Sequence, residues 1–267
     1  MKRYPIILSI AGSDCSGGAG IQADIKTIAA LGGYAAAAIT AVTVQNTLGV
    51  KAVHPVPPEI VRGQIEAVMS DLKPDAVKIG MMNDELTVRI IANCLQKYQP
   101  EFVVCDPVMV STSGRRLMEN DAIGRMRTEL FPLASLITPN LNEVAVLTGS
   151  KPTCLCEMQQ AAARLSTEYG TSVLVKGGHL EGEEMYDVLQ FAGNTYIYRE
   201  KKIVSRNLHG TGCTLSSSIA TYLAKNYPMN EAVEKSKRYV SLAIEAGKDL
   251  EIGKGNGPLW HASSCGQ

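Results

Sequence analysis

The chain has 267 residues, of which 45% are hydrophobic, so it can bury a large core in a single α/β domain spanning residues 1–267. Its 26 basic and 26 acidic residues balance, which argues against nucleic acid or a membrane surface as the partner and favours a small molecule. No apolar run approaches the ~18 residues of a membrane span. The seven scattered cysteines, an odd number, favour reduced thiols in the cytoplasm over a disulfide framework.

Short apolar runs alternate with amphipathic windows, and this rhythm predicts a parallel sheet with helices on both faces. The predicted strands are Ile6–Ala11, Tyr34–Thr40, Ala76–Ile79, Phe102–Cys105, Leu136–Thr138 and Ser172–Val175. The predicted helices are Gly20–Leu31, Pro58–Leu72, Asp84–Tyr98, Asn120–Leu130, Leu141–Leu147, Glu157–Tyr169, Leu215–Lys225 and Glu231–Leu250. Two antiparallel strands, Glu184–Phe191 and Thr195–Glu200, are predicted before the last two helices. Because ligands of such sheets bind beyond the carboxyl ends of the strands, the loops that follow strands carry the candidate site residues.

A glycine-rich loop, residues 12–20, follows the first predicted strand and opens into a helix. Its glycine spacing departs from the Walker A loop, which carries a lysine after its glycines, and from the dinucleotide-binding fingerprint. We therefore expect the loop to admit a group other than a nucleotide pyrophosphate. A tight strand-to-helix turn is the alternative, and it explains the glycines but not Asp14 and Asp24 beside them.

Two further loops contain side chains suited to a flat heterocycle. Gln45 lies in a polar cluster, residues 43–47, after the second strand, and its amide both donates and accepts hydrogen bonds. A solvated turn is an equally good interpretation of this cluster. Met81 follows the third strand, where its flexible side chain could cover a ring, although core packing explains it at least as well.

Carboxylates and a lysine follow three later strands. Asp106 ends a strand and precedes a proline, a placement suited to holding hydrated Mg²⁺. Asn140 and Glu143 are three residues apart at a helix start, so they face the same way and serve either a metal site or an N-terminal capping box. Lys176 offers a cation to a phosphate chain, unless it belongs only to a charged surface turn.

Residues 209–215 join a loop to a predicted helix. Two glycines, Gly210 and Gly212, flank Thr211 and would let backbone amides face an anion at the positive end of that helix. A helix start that needs glycine only to turn is the alternative. Cys213 favours the anion site, because the field of a helix start is expected to lower the pKa of a thiol in its first turn.

Ordered motifs cover nearly the whole chain, in residues 11–24, 45–47, 78–81, 106–109, 138–141, 176–179, 209–214, 253–255 and 257–258. Together they resemble those of the hydroxymethylpyrimidine/phosphomethylpyrimidine kinases of thiamine biosynthesis, within the ribokinase-like superfamily. The resemblance implies an α/β fold with a doubly wound, mostly parallel central sheet and helices on both faces. Cys15 departs from the serine or proline of relatives, and the tail from Trp260 has no match in them.

The resemblance also implies activity and site residues. The reaction would use ATP with Mg²⁺ to phosphorylate hydroxymethylpyrimidine and then its monophosphate, and the role of a monovalent cation is left open. The pyrimidine pocket would contain Gly12, Asp24, Gln45, Met81 and Val108. Asn140, Lys176 and Thr211 would bind ATP. Glu143 would bind the metal, with Asp106 a weaker candidate for the same role. The catalytic segment would be Gly210, Thr211, Gly212 and Cys213, with Cys213 where many sugar kinases carry an aspartate base. A cytoplasmic homodimer is expected.

Two alternatives remain. Pyridoxal kinases of the same superfamily share most of these motifs, but they carry a cysteine in the lid where this chain has Ser111, which favours the pyrimidine substrate. A catalytically silent sensor on this fold would show erosion of the phosphate site. Asn140, Glu143, Lys176 and residues 210–213 are nevertheless all present.

Overall fold

The computed structural model describes residues 4–109, 118–178 and 182–264. Within them, nine strands form one sheet in the order β3-β2-β1-β4-β5-β6-β7-β8-β9. The six inner strands, from β2 to β7, run parallel, and β3, β8 and β9 pair antiparallel at the two edges. The strands are β1 Ile6–Asp14, β2 Tyr34–Asn46, β3 Gly49–Pro55, β4 Ala76–Ile79, β5 Phe102–Cys105, β6 Leu136–Ile137, β7 Ser172–Lys176, β8 Glu184–Phe191 and β9 Asn194–Lys201.

Helices cover both faces of this sheet, and each face has its own apolar core. One core packs α2, α3, α5 and α6, and the other packs α1, α7 and α8. The helices are α1 Gly20–Ala30, α2 Pro58–Asp71, α3 Glu85–Tyr98, α4 Asn120–Arg125, α5 Leu141–Thr148, α6 Leu155–Tyr169, α7 Thr211–Ala224 and α8 Met229–Gly247. The doubly wound architecture predicted from the sequence is confirmed. No helix in the described part of the chain is long and apolar enough to cross a bilayer.

The register of the inner strands brings their carboxyl ends to one edge. Ile79 pairs with Ile10 on one side and with Cys105 on the other, and Cys105 pairs in turn with Ile137. The residues that follow these strands therefore lie side by side, which is where the candidate site is built.

The second strand differs from its prediction. β2 continues past Thr40 to Asn46 and pairs antiparallel with β3, a strand that was not predicted. Residues of β3 are mostly exposed or half-buried, so this strand carries no apolar run that periodicity could detect. The polar cluster around Gln45 consequently lies at the end of a strand and in the hairpin turn, rather than in a loop after a strand.

Two helices also differ from their predictions. α7 begins at Thr211, four residues before the predicted Leu215, because Gly210 caps it in the left-handed conformation with φ of 85°. The predicted helix Asn120–Leu130 is α4 followed by a π-helical turn, Met126–Leu130. His261, in the part of the unmatched tail that the structure describes, packs on α7, and its Nε2 lies 3.0 Å from the Thr214 hydroxyl.

Candidate active site

A buried ion pair occupies the edge of the sheet at the ends of β5 and β7. Lys176 Nζ lies 2.6 Å from Asp106 Oδ1, and Asp106 is 2% exposed. The Thr138 hydroxyl donates to the same carboxylate at 3.1 Å. A Cβ on Gly212 would lie 3.3 Å from Asp106 Oδ2 and 3.5 Å from Lys176 Nζ. The start of α7 is therefore directly against this ion pair, as an anion site between a lysine and a helix N-terminus requires.

Glu143 is the second carboxylate at this edge. Its side chain accepts from the Asn140 amide at 2.7 Å, and the Asn140 side chain accepts from the Glu143 amide, which completes a capping box on α5. The capping interpretation of this pair is thus confirmed. Burial raises the pKa of Glu143 to about 7, with Asp106 adding to the rise and Lys176 opposing it. Glu143 shares the field of the Asp106–Lys176 pair, so capping does not exclude a second role.

The helix start itself fits an anion. A Cβ on Gly210 would collide with the Gly18 carbonyl oxygen, so the αL conformation and the close approach both require glycine. The intrahelical ladder starts where the Thr214 amide donates to the Gly210 carbonyl at 2.9 Å. The backbone amides of Gly212 and Cys213 lie in the first turn before that point, so they have no acceptor within the helix and are available to an anion.

The thiol of Cys213 does not have the lowered pKa that its helix position predicted. Burial raises its pKa to about 11. Lys78 lowers the pKa, Asp24 and Asp106 raise it, and a hydrogen bond from the Gly20 amide lowers it. The prediction is wrong because the free-energy cost of removing the thiolate from water exceeds the stabilisation that the nearby positive groups give it.

Asp24, which the resemblance assigns to the pyrimidine pocket, forms a buried ion pair. Asp24 is fully buried, and Lys78 Nζ lies 3.0 and 2.7 Å from its two oxygens. Ser9 and Ser217 donate to the same carboxylate at 2.5 and 2.7 Å. The side chain therefore has partners within the protein at both carboxylate oxygens, below the first turn of α7, and its place in the pyrimidine pocket stays a prediction.

Three of the four remaining pocket candidates lie around the first loop. A Cβ on Gly12 would lie 3.0 Å from Met81 Sδ, and Met81 is 9% exposed. The half-buried Gln45 contacts that loop through Cys15, whose thiol donates to the Gln45 carbonyl at 3.1 Å. Val108 follows β5 and is half-buried, with its amide 2.8 Å from the Asp106 carbonyl. The structure thus joins Gly12 to Met81 and Gln45 to the loop, and puts Val108 beside the ion pair.

Three residues of this region were not singled out from the sequence for the contacts they make. Lys78 sits in the otherwise apolar strand Ala76–Ile79, and a lysine there signals a buried acidic partner. Ser217 bridges α7 to Asp24, and His209 contacts Asp14, which neither composition nor periodicity indicates. Ser111, used above to separate two substrates, lies outside the described residues.

The carboxylates fit a magnesium ion that a nucleotide brings with it. In residues 4–109, 118–178 and 182–264, no three histidine, cysteine or acidic side chains cluster closely enough to hold a metal alone. Mg²⁺ in phosphate-transferring sites needs only one or two carboxylates beside substrate phosphates. Asp106 and Glu143 supply hard oxygen ligands of this kind next to Lys176 and the start of α7.

The fold is that of a ribokinase-like kinase. The chain is 44% identical to a phosphomethylpyrimidine kinase from Clostridium difficile 630, with a TM-score of 0.80 over 90% of this chain and 99% of that one. It is 30% identical to the pyridoxal kinase of a Bacillus subtilis ADP complex, with a TM-score of 0.91 over 99% and 100% of the two chains.

A hydroxymethylpyrimidine/phosphomethylpyrimidine kinase from Rhizobium meliloti is 50% identical over 258 residues, which are 96% of each chain. The family model of phosphomethylpyrimidine kinase matches residues 14–260. The chain belongs to the phosphomethylpyrimidine kinase family.

Proposed function

We propose that the protein uses ATP to phosphorylate hydroxymethylpyrimidine and then hydroxymethylpyrimidine phosphate, which gives the diphosphate used in thiamine biosynthesis. The observation that carries this proposal is the start of α7 lying against the Asp106–Lys176 pair, at the edge where a family member would bind its substrates. Incubating the protein with ATP, Mg²⁺, hydroxymethylpyrimidine, its monophosphate and pyridoxal, and identifying the products by mass, tests it. Phosphorylation of pyridoxal alone would contradict it.

Phosphoryl transfer needs positioning and charge stabilisation more than covalent help from the protein. Backbone amides of Gly210, Thr211, Gly212 and Cys213 are suited to stabilise the negative charge that develops on the moving phosphoryl group. Thr211 and Asn140 lie beside the same edge as Lys176, which would pair with the donor phosphates once they displace it from Asp106. Bound Mg²⁺ would neutralise phosphate charge, and Glu143 and Asp106 would hold it.

The two acceptors differ in their need for a base. A hydroxymethyl group must lose its proton as it attacks, and the thiolate form of Cys213, in the first turn of α7, would take that proton. The monophosphate is already ionised near neutral pH, since its second pKa is about 6. One site can therefore run both steps, with Cys213 required as a base only in the first.

Pyridoxal phosphorylation is the alternative that the backbone similarity favours, because the Bacillus subtilis pyridoxal kinase superposes with a TM-score of 0.91. Sequence identity favours the pyrimidine, at 50% and 44% for the two pyrimidine kinases above against 30% for the pyridoxal kinase. Substrate specificity is determined by side chains more than by the backbone trace, so sequence identity is the better guide to the substrate than backbone similarity. The match to a family of kinases does not favour the third interpretation, a catalytically silent sensor.

Gln45→Ala is expected to weaken hydroxymethylpyrimidine binding roughly tenfold, the loss of one or two hydrogen bonds, and to leave ATP binding unchanged. Calorimetry of each ligand measures both affinities. Gln190→Ala is the matched control, because Gln190 lies on β8, near the opposite edge of the sheet, and bonds to Thr195. An unchanged pyrimidine affinity in Gln45→Ala would remove this residue from the pocket.

Glu143→Gln is expected to raise the Mg²⁺ concentration needed for half-maximal activity roughly tenfold to a hundredfold. Glutamine at this position keeps the capping box, so the fold is retained. The raised pKa of Glu143, about 7, adds a pH signature. A proton competes with the metal below that pH, so the Mg²⁺ requirement of the unmodified enzyme should rise as pH falls, and that of the variant should not. Glu157→Gln, at the start of α6, is the control; equal Mg²⁺ titrations would refute the role.

We expect a cytoplasmic enzyme, where ATP is supplied and thiols such as Cys213 stay reduced. A homodimer is the assembly we propose, and sedimentation at several concentrations tests it.

A further inference from the structure

A chain of three side chains, two of them buried and the third half-buried, links the first loop, β2 and the start of α7. Asp14 ends β1, Gln45 is near the end of β2, and His209 precedes α7. His209 Nε2 lies 2.9 Å from Asp14 Oδ2 and 3.0 Å from Gln45 Nε2. The function proposed above uses Gln45 but assigns nothing to Asp14 or His209.

The carboxylate of Asp14 is ionised. Its Oδ1 accepts from the amide and hydroxyl of Ser16, and its Oδ2 accepts from the amides of Gly18 and Ala19 as well as contacting His209. Burial alone would raise the pKa of Asp14, but the hydrogen bonds from His209 and Ser16 hold it at about 2. A carboxylate surrounded by donors has no proton to give, so the hydrogen between it and the imidazole belongs to His209 Nε2.

This hydrogen decides which end of the Gln45 amide faces the imidazole. An N–H on His209 and an NH₂ group 3.0 Å away would be two donors without an acceptor. The two ends of a carboxamide have the same shape, so hydrogen bonding decides between them. With Oε1 toward His209, the amide nitrogen lies near Thr43 Oγ1, 3.3 Å from that position, and the Thr43 hydroxyl itself donates to the Ser13 carbonyl at 3.0 Å. The single hydrogen on His209 Nε2 is then shared between Asp14 Oδ2, at 2.9 Å, and the Gln45 oxygen, at 3.0 Å.

Packing holds the imidazole of His209, the side chain that lies between Asp14 and the Gln45 amide. His209 is 9% exposed, and a Cβ on Gly18 would collide with its Cδ2. Its amide donates to the Gly257 carbonyl at 3.0 Å, beside the backbone bridge to Pro258. The packing against Gly18 and the backbone hydrogen bond therefore restrict the position of the imidazole between Asp14 and Gln45.

We infer that Asp14 acts through His209 to hold the Gln45 amide in one orientation, and that this orientation selects a heterocycle bearing a ring nitrogen next to an exocyclic amino group. The amide keeps one free N–H and one free lone pair in fixed order, and an amidine edge presents the matching acceptor and donor. A pyridine with a phenolic oxygen lacks that ordered pair. Asp14 and His209 are thus positioning residues, and the inference rests on the proposed function.

His209→Phe tests the chain, because it keeps an aromatic ring over Gly18 and removes the N–H. We expect a three- to tenfold loss of hydroxymethylpyrimidine affinity by calorimetry, about the value of one hydrogen bond, with ATP affinity unchanged. In a Gln45→Ala background the same change should cause no further loss. A loss of equal size in that background would overturn the inference, since His209 would then act without Gln45.

The deamino analogue of hydroxymethylpyrimidine adds a readout that a purely structural role would not move. The unmodified protein should prefer the amino compound, and His209→Phe should reduce that preference by the same three- to tenfold factor. If both compounds lost affinity equally, the orientation of Gln45 would not be what His209 controls.

One measurement needs no variant and so does not depend on a variant's folding. Nitrogen-15 spectra of the imidazole in the unmodified protein report which ring nitrogen carries hydrogen, and we expect it on Nε2 of His209. A bare Nε2 would overturn the inference. If the unmodified protein bound no hydroxymethylpyrimidine at all, the proposed function would fail, whereas this spectrum would still test the Asp14–His209 contact.

Discussion

Replacing Cys213 by alanine should slow phosphorylation of the hydroxymethyl alcohol about a hundredfold to ten-thousandfold, the usual value of a general base. Phosphorylation of the monophosphate should change little, because that acceptor is ionised without help. Steady-state kinetics on both acceptors, with ATP saturating, measure the difference. Equal losses on the two acceptors would leave Cys213 as a part of the scaffold rather than a base.

The pH dependence gives this prediction a second, independent readout. Since burial raises the pKa of Cys213 to about 11, the thiol is protonated at neutral pH and only a small thiolate fraction can accept a proton. In the unmodified enzyme, kcat/KM for the alcohol should therefore rise with pH through the neutral range and beyond, without levelling below about 11. With the monophosphate it should level above about pH 6, where the acceptor is ionised.

A matched control separates the base from the loss of a buried thiol. Cys94 is buried on α3, on the other face of the sheet, and burial raises its pKa as well. Cys94→Ala should cost stability through a small cavity and leave both rates and both pH profiles unchanged. Loss of the alcohol's pH dependence in Cys213→Ala, but not in Cys94→Ala, would identify the titrating group.

Periodicity was sufficient for the parts of the fold that are apolar on both sides. Ala76–Ile79 and Phe102–Cys105 are buried parallel strands whose bounds match their predictions, because both faces of each are covered by helices. The outer half of β2 and all of β3 leave the core, so their side chains carry no such pattern. Strand ends in an inner parallel sheet meet at one edge, which is why Asp106 and Lys176 could be assigned to one site before their contact was known.

Long-range partners were not predictable from local sequence. The resemblance assigns Asp24 to the pyrimidine pocket but does not indicate its ion-pair partner, Lys78, which lies 54 residues along the chain. The predicted direction of the Cys213 pKa shift is wrong for a related reason. A sequence motif indicates the helix start but not how deeply the fold buries the thiol. The Lys78–Asp24 pair and the raised pKa of Cys213 both depend on burial by elements that are distant in sequence.

The Lys78–Asp24 pair leads to the largest expected effect on stability. Both side chains are fully buried, and Lys78 Nζ is 2.7 Å from the nearer Asp24 oxygen. Burial alone would lower the pKa of Lys78, but Asp24, with Cys213 and Asp106, raises it well above its ordinary value. A raised lysine pKa means that the pair stabilises the fold at all pH values below the ordinary lysine pKa, about 10.4, and that this stabilisation falls as pH rises beyond it.

Lys78→Met is expected to lower the free energy of unfolding by about 3–5 kcal/mol, because it leaves the buried Asp24 carboxylate without its cation. For a chain of this size that corresponds to a melting temperature roughly 10 °C lower. Urea unfolding of the unmodified protein and of the variant at neutral pH measures the difference in the free energy of unfolding.

The double variant Lys78→Met with Asp24→Asn distinguishes an unpaired charge from a disturbed core. An amide at position 24 can still bond to Ser9 and Ser217, which donate to Asp24 in the unmodified protein, and it carries no charge to leave uncompensated. If the lost stability comes from the bare carboxylate, the double variant should be more stable than Lys78→Met alone, as buried pairs replaced together usually are. If the free-energy losses of the two single changes simply add, the cost of Lys78→Met comes from altered packing and not from an unpaired carboxylate.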